Sequence, residues 1–157
     1  MDITSDKNRN KNKQATGDFN VFLNGEPFHV EEAFVEKTDI NVTVSFFGPE
    51  AGQLKRWVTF TIPVNAEPGP YPIDPNDPYV GNVAILFEKT SDATPAPVPD
   101  PENPWGWITM NLASKGTFNL KKWDPQVQFI SGDFGFEVFA HQQRYTIKAA
   151  FKLTAQP

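Results

Sequence analysis

The chain of 157 residues contains no cysteine and only two histidines. The lack of cysteine excludes disulfides, thiolate nucleophiles and Cys-ligated metals. A net charge of −5 argues against general nucleic-acid binding, which requires a basic surface. No apolar run reaches the roughly 20 residues of a membrane span. The N-terminus also has no apolar signal-peptide core. We therefore expect a protein without a membrane span, either cytoplasmic or a trimmed form of an exported protein.

Aromatic residues, proline and glycine are abundant instead. The 14 Phe and 4 Trp predict a core dominated by aromatic rings. The 15 Pro and 10 Gly favour turns over long helices. No apolar pattern of helical period persists for three turns, whereas short runs of alternating apolar and polar residues recur along the chain. We predict an all-β protein, an antiparallel β-sandwich of about eight or nine strands, with a partly closed β-barrel as the alternative.

The segment 127–139 is predicted to be the central strand. Alternate positions in it are apolar and would line one face: Ile130, Phe134, Phe136 and Val138. Val127 and Phe129 have the opposite parity, which predicts a β-bulge or bend near Phe129–Ile130. The same alternation predicts that Val83, Ile85 and Phe87 face inward, and that Ile108, Met110 and Leu112 share one side of their strand.

Composition divides the rest of the chain. Residues 1–17 are polar without apolar periodicity and are predicted to be a disordered tail, followed by a single domain over 18–157. Asn24-Gly25 predicts a tight hairpin turn, and 48–52 predicts a loop. Two proline-rich loops are predicted at 65–81 and 90–104, the first without regular strand pairing.

Four short motifs occur in a fixed order along this domain. They are Phe19 to Phe28 with its Asn24-Gly25 turn, Pro68-Gly69-Pro70-Tyr71, Lys115-Gly116-Thr117-Phe118, and Ser131-Gly132-Asp133-Phe134-Gly135-Phe136. This order resembles the DUF6252-type group of small, uncharacterised bacterial β-domains, which are often lipoproteins. The resemblance spans roughly Asp18 to Leu153 and implies a β-fold but no chemistry. The chain departs from the group in lacking a lipid-modified cysteine.

The two histidines and the two acidic loops are the candidates for catalysis or metal binding. His29 shares a strand face with Glu31, a pair that can serve as a general base or as half of a metal site, but no third ligand has matching spacing. His141 falls in a predicted hairpin turn at 140–143. Solvent-facing histidines are the simpler interpretation of both. Asx-turns explain the Asp- and Asn-rich segments 74–78 and 100–103 without calcium. We therefore predict no catalytic residue, no metal, no cofactor and no enzymatic activity.

Exposed aromatic residues are the better candidates for a binding site. Trp105 and Trp107 would point away from the core, and Trp57 would lie opposite the inward residues of its own strand; Tyr71 and Tyr79 could join them. Such rings can form a platform that stacks on sugar faces, or they can pack beneath the long loops, which is the more common role of tryptophan.

The predicted function is therefore a non-enzymatic binding or structural-association β-domain with an unknown protein or glycan partner. The alternative is a carbohydrate-binding module that uses the exposed tryptophans. An enzyme built on His29 and Glu31 ranks third. A free sheet edge at the first or last strand would also allow pairing with a second copy as a homodimer.

Overall fold

The computed structural model describes residues 14–51, 54–73, 83–90 and 108–156. All regular structure in these ranges is β-strand, which confirms the all-β prediction. The ten strands are β1 (Gln14–Leu23), β2 (Glu26–Pro27), β3 (Glu32–Lys37), β4 (Asn41–Ala51), β5 (Leu54–Pro63), β6 (Gly69–Ile73), β7 (Val83–Thr90), β8 (Ile108–Asp124), β9 (Phe129–Ala140) and β10 (Gln143–Ala155). Within the described ranges there is no helix of the length and apolarity needed to cross a membrane.

Eight of these strands form a closed antiparallel barrel. β1, β3, β4, β5, β7, β8, β9 and β10 each pair with the next, and β10 pairs back with β1. β2 and β6 are extra strands, attached to β1 and β8 respectively. The sandwich prediction is therefore wrong; the architecture is a barrel, as in the alternative, but closed instead of partly closed. Both architectures need the same alternation along each strand, so the difference lies only in which strands pair.

The seam between β1 and β10 closes the barrel. Nine register pairs run from Ala15 opposite Ala155 to Leu23 opposite Ile147. Gly17 allows this close approach, because its φ is +145° and a Cβ there would lie 1.9 Å from the carbonyl oxygen of Lys152. Strand β1 begins four residues before the predicted start of the domain at residue 18. Because the first and last strands pair with each other, neither has the free edge that the homodimer prediction assumed, and the homodimer itself stays a prediction.

For the predicted central strand, the inward-facing residues are confirmed, whereas the predicted bulge is not observed. All four apolar residues named for that face are buried. Strand β9 pairs with β10 without a register shift from Phe129 to Ala140, and Val127 lies in the preceding turn. The register shifts lie instead in β8, between Ala113 and Lys115 and between Leu120 and Lys122. The parity change near residue 129 therefore marks the end of a turn and not a bulge.

Phenylalanine rings fill the middle of the barrel. Five of them lie with ring centroids 4.5 to 6.3 Å apart in a connected cluster: Phe46, Phe60, Phe118, Phe134 and Phe151. Smaller side chains from the other strands complete the core around them. Each of these rings buries a large area, and most of their contacts have the tilted geometry that aromatic pairs prefer.

Two strands face the opposite way from the prediction. In β7 the buried apolar residues are Ala84 and Leu86, whereas Val83 is 41% exposed. In β8, Met110 and Leu112 are 61% and 52% exposed. A shift of one residue moves every side chain of a strand to the other face. The larger apolar residues therefore lie on the outside of the barrel here, and the small Ala84 lies inside.

Proline does not prevent pairing in β6. Gly69–Ile73 pairs with residues 116–120 of β8, although the sequence predicts no regular pairing in this segment. The prolines alternate at Pro70 and Pro72, and proline is compatible with an edge strand. Ile73 is buried, as expected of a residue that anchors this segment. The prediction of a loop at 48–52 is also wrong for residues 48–51. These residues continue β4, whose pairing with β5 shifts in register between Phe47 and Glu50. The second part of the first predicted loop and nearly all of the second lie outside the described residues, within 74–82 and 91–107.

Candidate functional site

A buried carboxylate lies inside one end of the barrel. Glu88, near the end of β7, is only 4% exposed. Its Oε2 accepts a hydrogen bond from Arg56 Nε at 3.2 Å, and its Oε1 accepts one from Asn111 Nδ2 at 2.9 Å. His141 Nε2 lies 3.0 Å from both carboxylate oxygens. One carboxylate thus joins β5, β7, β8 and the turn between β9 and β10.

These partners decide the charge state of Glu88. Burial raises the pKa of Glu88, but the hydrogen bonds and positive charges of His141 and Arg56 outweigh burial and hold the pKa below its ordinary value of 4.5. Arg56 also lies over the ring of Tyr145, 5.8 Å from its centroid. The carboxylate is therefore ionised at neutral pH and fully engaged by its partners, which is the arrangement of a structural anchor.

The turn that carries His141 has an unusual backbone. His141 and Gln142 have φ values of 53° and 62°, so both central residues of the hairpin are left-handed. Asn-Gly is the usual sequence for such a turn. The predicted hairpin at 140–143 is confirmed. The side chain of His141 is 60% exposed, but the contact of its Nε2 with Glu88 is not apparent in the sequence because 53 positions separate the two residues.

The other histidine forms no comparable arrangement. His29 and Glu31 are both exposed in the irregular stretch between β2 and β3. Among the residues that the structure describes, no group of three histidine or acidic side chains could hold a metal ion. The surroundings of His29 and Glu31 therefore give no support for a general base or a metal site at this pair.

A second feature lies on the outer surface of four neighbouring strands, β4, β5, β7 and β8. Direct register pairing aligns their outward residues in three rows, which together we call the uncharged wall. The rows are Phe47–Trp57–Phe87–Met110, Ser45–Thr59–Ile85–Leu112 and Thr43–Thr61–Val83. None of these residues carries a charge.

Aromatic rings form the first row of the uncharged wall. Trp57 stacks between Phe47 and Phe87, with ring centroids 5.6 and 5.0 Å away and interplanar angles of 16° and 8°. Phe34 of β3, which lies opposite Ser45 in register, meets Phe47 edge-on with ring centroids 5.3 Å apart. Met110, opposite Phe87, ends the row on β8. The rings thus cover one another's faces along the row.

The hydroxyl groups of the uncharged wall are hydrogen-bonded to one another in two pairs. Thr43 Oγ1 lies 2.9 Å from Thr61 Oγ1, and Ser45 Oγ lies 3.0 Å from Thr59 Oγ1. Each pair joins directly opposed residues of β4 and β5. Because these hydroxyls already have a partner, covering the wall leaves few polar groups unsatisfied.

The aromatic residues predicted as ligand contacts are distributed as follows. Trp57 has both faces covered by phenylalanine rings, so it offers no free face for stacking on a sugar. Tyr71, on β6, is half-buried, and its hydroxyl bonds to the backbone of Glu67. Tyr79, Trp105 and Trp107 lie outside the described residues. Their role as a binding platform stays a prediction.

Comparison with family models, with curated proteins and with solved structures finds no match for this chain.

Proposed function

We propose that the protein is a non-enzymatic association domain that forms a reversible homodimer through the uncharged wall. The observation that carries this proposal is the absence of charge from three aligned rows on four neighbouring strands, combined with the exposure of Met110 and Leu112. Apolar surface of this kind marks interaction sites in soluble proteins. Isologous packing of the same patch on two copies needs no further partner.

The opposite side of the barrel provides a contrast. Outward residues of β1, β9, β10 and the C-terminal half of β8 include, beside polar residues and the exposed Phe22 and Phe139, charged side chains on every strand: Asp18, Lys121, Asp133, Lys148 and Lys152. That side is suited to solvent. Charged residues are depleted from the cores of protein interfaces, whereas aromatic residues and methionine are enriched there. The division of charge between the two sides therefore favours the uncharged wall as the interface.

The size of the uncharged wall predicts the strength of the dimer. Four strands about 4.8 Å apart and three rows about 6.8 Å apart make a surface of roughly 400 Å². Two copies would bury about 800 Å², below the 1,200 Å² or so of standard stable interfaces. We therefore expect a weak dimer that dissociates on dilution. The paired hydroxyls reduce the cost of dehydrating the surface, since no unbonded hydroxyl has to lose water.

Sedimentation velocity over a concentration series tests this proposal. The wild-type protein is expected to shift from monomer to dimer as concentration rises. The double variant Met110→Lys/Leu112→Lys places two charges in the interface and should remain monomeric. Phe22→Lys is the matched control, because Phe22 is an outward residue of β1, 38% exposed, and β3 on one side and β9 and β10 on the other separate its strand from the wall.

The control variant should dimerise as the wild type does. A wild-type protein that remains monomeric at its highest soluble concentration would overturn the proposal. So would a dimer that survives both lysine substitutions in a folded double variant. Circular dichroism of each variant establishes that the barrel is intact.

A further inference from the structure

A groove crosses the charged side of the barrel, on the outer surface of β1, β10, β9 and β8. Its volume is about 260 Å³, and the lining includes Asp18 and Asn20 of β1, Ala150 and Lys152 of β10, Ser131 of β9 and Lys121 of β8. Asp18, Lys152 and Ser131 lie directly opposite one another on three successive strands. Ala150 is opposite Asn20, which places a methyl group at the floor between the polar side chains.

A register shift in β8 shapes one wall of this groove. The pairing with β9 slips between Leu120 and Lys122, so that Lys121 is the extra residue of the shift. Both Lys121 and Lys122 are exposed as a result, instead of alternating between the two faces. Lys122 leans over the ring of Phe129 at 5.6 Å, whereas Lys121 lines the groove.

Three polar side chains of the groove have no hydrogen bond or ion pair with another side chain in the described part of the chain: Asp18, Ser131 and Lys152. Ser131 points outward yet is only 6% exposed, and its hydroxyl has no hydrogen-bond partner among the described residues. A buried hydroxyl without a partner is unusual in a folded protein. Asp18 and Lys152 face each other across the seam but form no ion pair within 4.0 Å in the described part of the chain. An acceptor, a donor and a hydroxyl therefore remain available at one place.

The charges in the groove balance. Lys121 is partly neutralised by Asp133, whose Oδ2 lies 3.7 Å from its Nζ. The remaining charges, Asp18 and Lys152, are of opposite sign. An anionic ligand would be repelled by Asp18, and a cationic ligand by Lys152. The groove is suited to a ligand without net charge.

We propose that this groove binds a neutral polyhydroxyl ring of the size of one pyranose sugar. Hydroxyl groups both donate and accept, which matches the mixed groups around the groove. The polar side chains lie on both sides of the Ala150 floor, so they suit a ligand with polar groups around its whole edge and an apolar face. A zwitterion such as an amino acid would engage Asp18 and Lys152, which lie directly opposite each other, but would leave Asn20 and Ser131 unused. This site does not use the predicted tryptophans and is independent of the proposed dimer.

Ligand-observed NMR titration with methyl pyranosides of glucose, galactose, mannose and N-acetylglucosamine tests this inference, with glycine and inorganic phosphate as competing ligand classes. We expect one pyranoside to bind with a Kd on the order of 1 mM, as befits a ligand of about a dozen heavy atoms. Ala150→Leu fills the floor and should weaken binding at least about tenfold. Ser131→Ala removes one hydrogen bond and should weaken binding about threefold to tenfold.

Lys148→Leu is the matched control, since Lys148 faces outward on β10 two residues from the floor but does not line the groove. Its affinity should equal that of the wild type. Failure of every pyranoside to bind would overturn the inference, as would binding that is unchanged in both Ala150→Leu and Ser131→Ala. Preferential binding of glycine or phosphate at this site would overturn the assignment to polyhydroxyl ligands. The dimer variants play no part in this test, so the two proposals fail separately.

Discussion

Replacing Glu88 by glutamine should destabilise the barrel while preserving the shape of the side chain. Glu88→Gln keeps an oxygen for Asn111 but removes the negative charge that binds Arg56 and His141. Removal of one partner of a buried ion pair costs about 3 to 5 kcal/mol, and less where the remaining partners reach solvent. The Arg56 and His141 side chains are 26% and 60% exposed. We therefore expect a loss of about 2 kcal/mol at pH 6.

The effect should depend on pH with a definite sign. The pKa of Glu88 in the folded protein lies below its ordinary value of 4.5, so the folded state binds fewer protons than the unfolded state in this range. The contribution of Glu88 to stability is present in full above its ordinary pKa and is lost as the pH falls through its lower pKa in the folded protein. Glutamine does not titrate. The gap in stability between wild type and variant should therefore narrow below pH 4.5.

Urea denaturation from pH 3 to pH 6, followed by circular dichroism, measures this gap. Glu32→Gln is the matched control, because Glu32 is an exposed residue at the start of β3. It should change the free energy of unfolding by less than about 0.5 kcal/mol. The reasoning fails if Glu88→Gln is as mild as the control at pH 6, or if its effect stays constant down to pH 3.

Two further substitutions test the closure and anchoring of the barrel. Gly17→Ala should lower the free energy of unfolding by at least about 2 kcal/mol more than Gly25→Ala, as measured by thermal or urea unfolding. Both glycines have positive φ, but of the two only Gly17 would place a Cβ within 4 Å of backbone atoms. Equal losses of stability would contradict a steric role for Gly17. Trp123→Phe removes the hydrogen bond from Trp123 Nε1 to a main-chain oxygen after β5, 2.8 Å long, and should cost about 1 to 2 kcal/mol in urea; an unchanged denaturation midpoint would show that this bond contributes nothing.

Alternation of apolar and polar residues along the sequence predicts the individual strands but not the pairing that closes the barrel. The inward faces of β9 and β10 follow from sequence because each has a continuous apolar side and a polar one. The distinction between barrel and sandwich depends on whether β1 pairs with β10. That pairing joins distant segments whose residues carry no local signal of each other. Gly17 is the one residue of the seam whose need for glycine is visible in the structure, and a single glycine in a polar stretch does not reveal it.

Alternation does not identify the inward face of a strand that has apolar residues on both faces. In β7, Val83, Ile85 and Phe87 alternate with Ala84, Leu86 and Glu88, and the larger set was predicted to face inward. The interior is already crowded with phenylalanine, so the smaller set fits there. The outward set then forms part of the uncharged wall. The wrong prediction of the inward face of β7 and the failure to predict the uncharged wall therefore have one physical cause.

The buried cluster was also missed for a physical reason. Arg56 and Glu88 lie on the inward side of their strands, next to apolar neighbours, where a charged residue is unexpected. The signal available in the sequence was this break in each apolar side, which is weak for either residue alone. It becomes specific only when β5 and β7 are known to be neighbours and the turn at His141 is known to cover the same end of the barrel.

The seam between β1 and β10 has a consequence for biosynthesis. Its paired residues are separated by 124 positions at Leu23 and Ile147 and by 140 at Ala15 and Ala155. Contacts of such long range form late and make folding slow. During translation, β1 leaves the ribosome long before its partner exists, and β9 also lacks its second neighbour until β10 emerges. The edge of β1 is thus unpaired for most of synthesis, and that of β9 is unpaired from its emergence until β10 follows. A nascent chain stalled before β10 should therefore be far more prone to aggregation than the chain that includes β10.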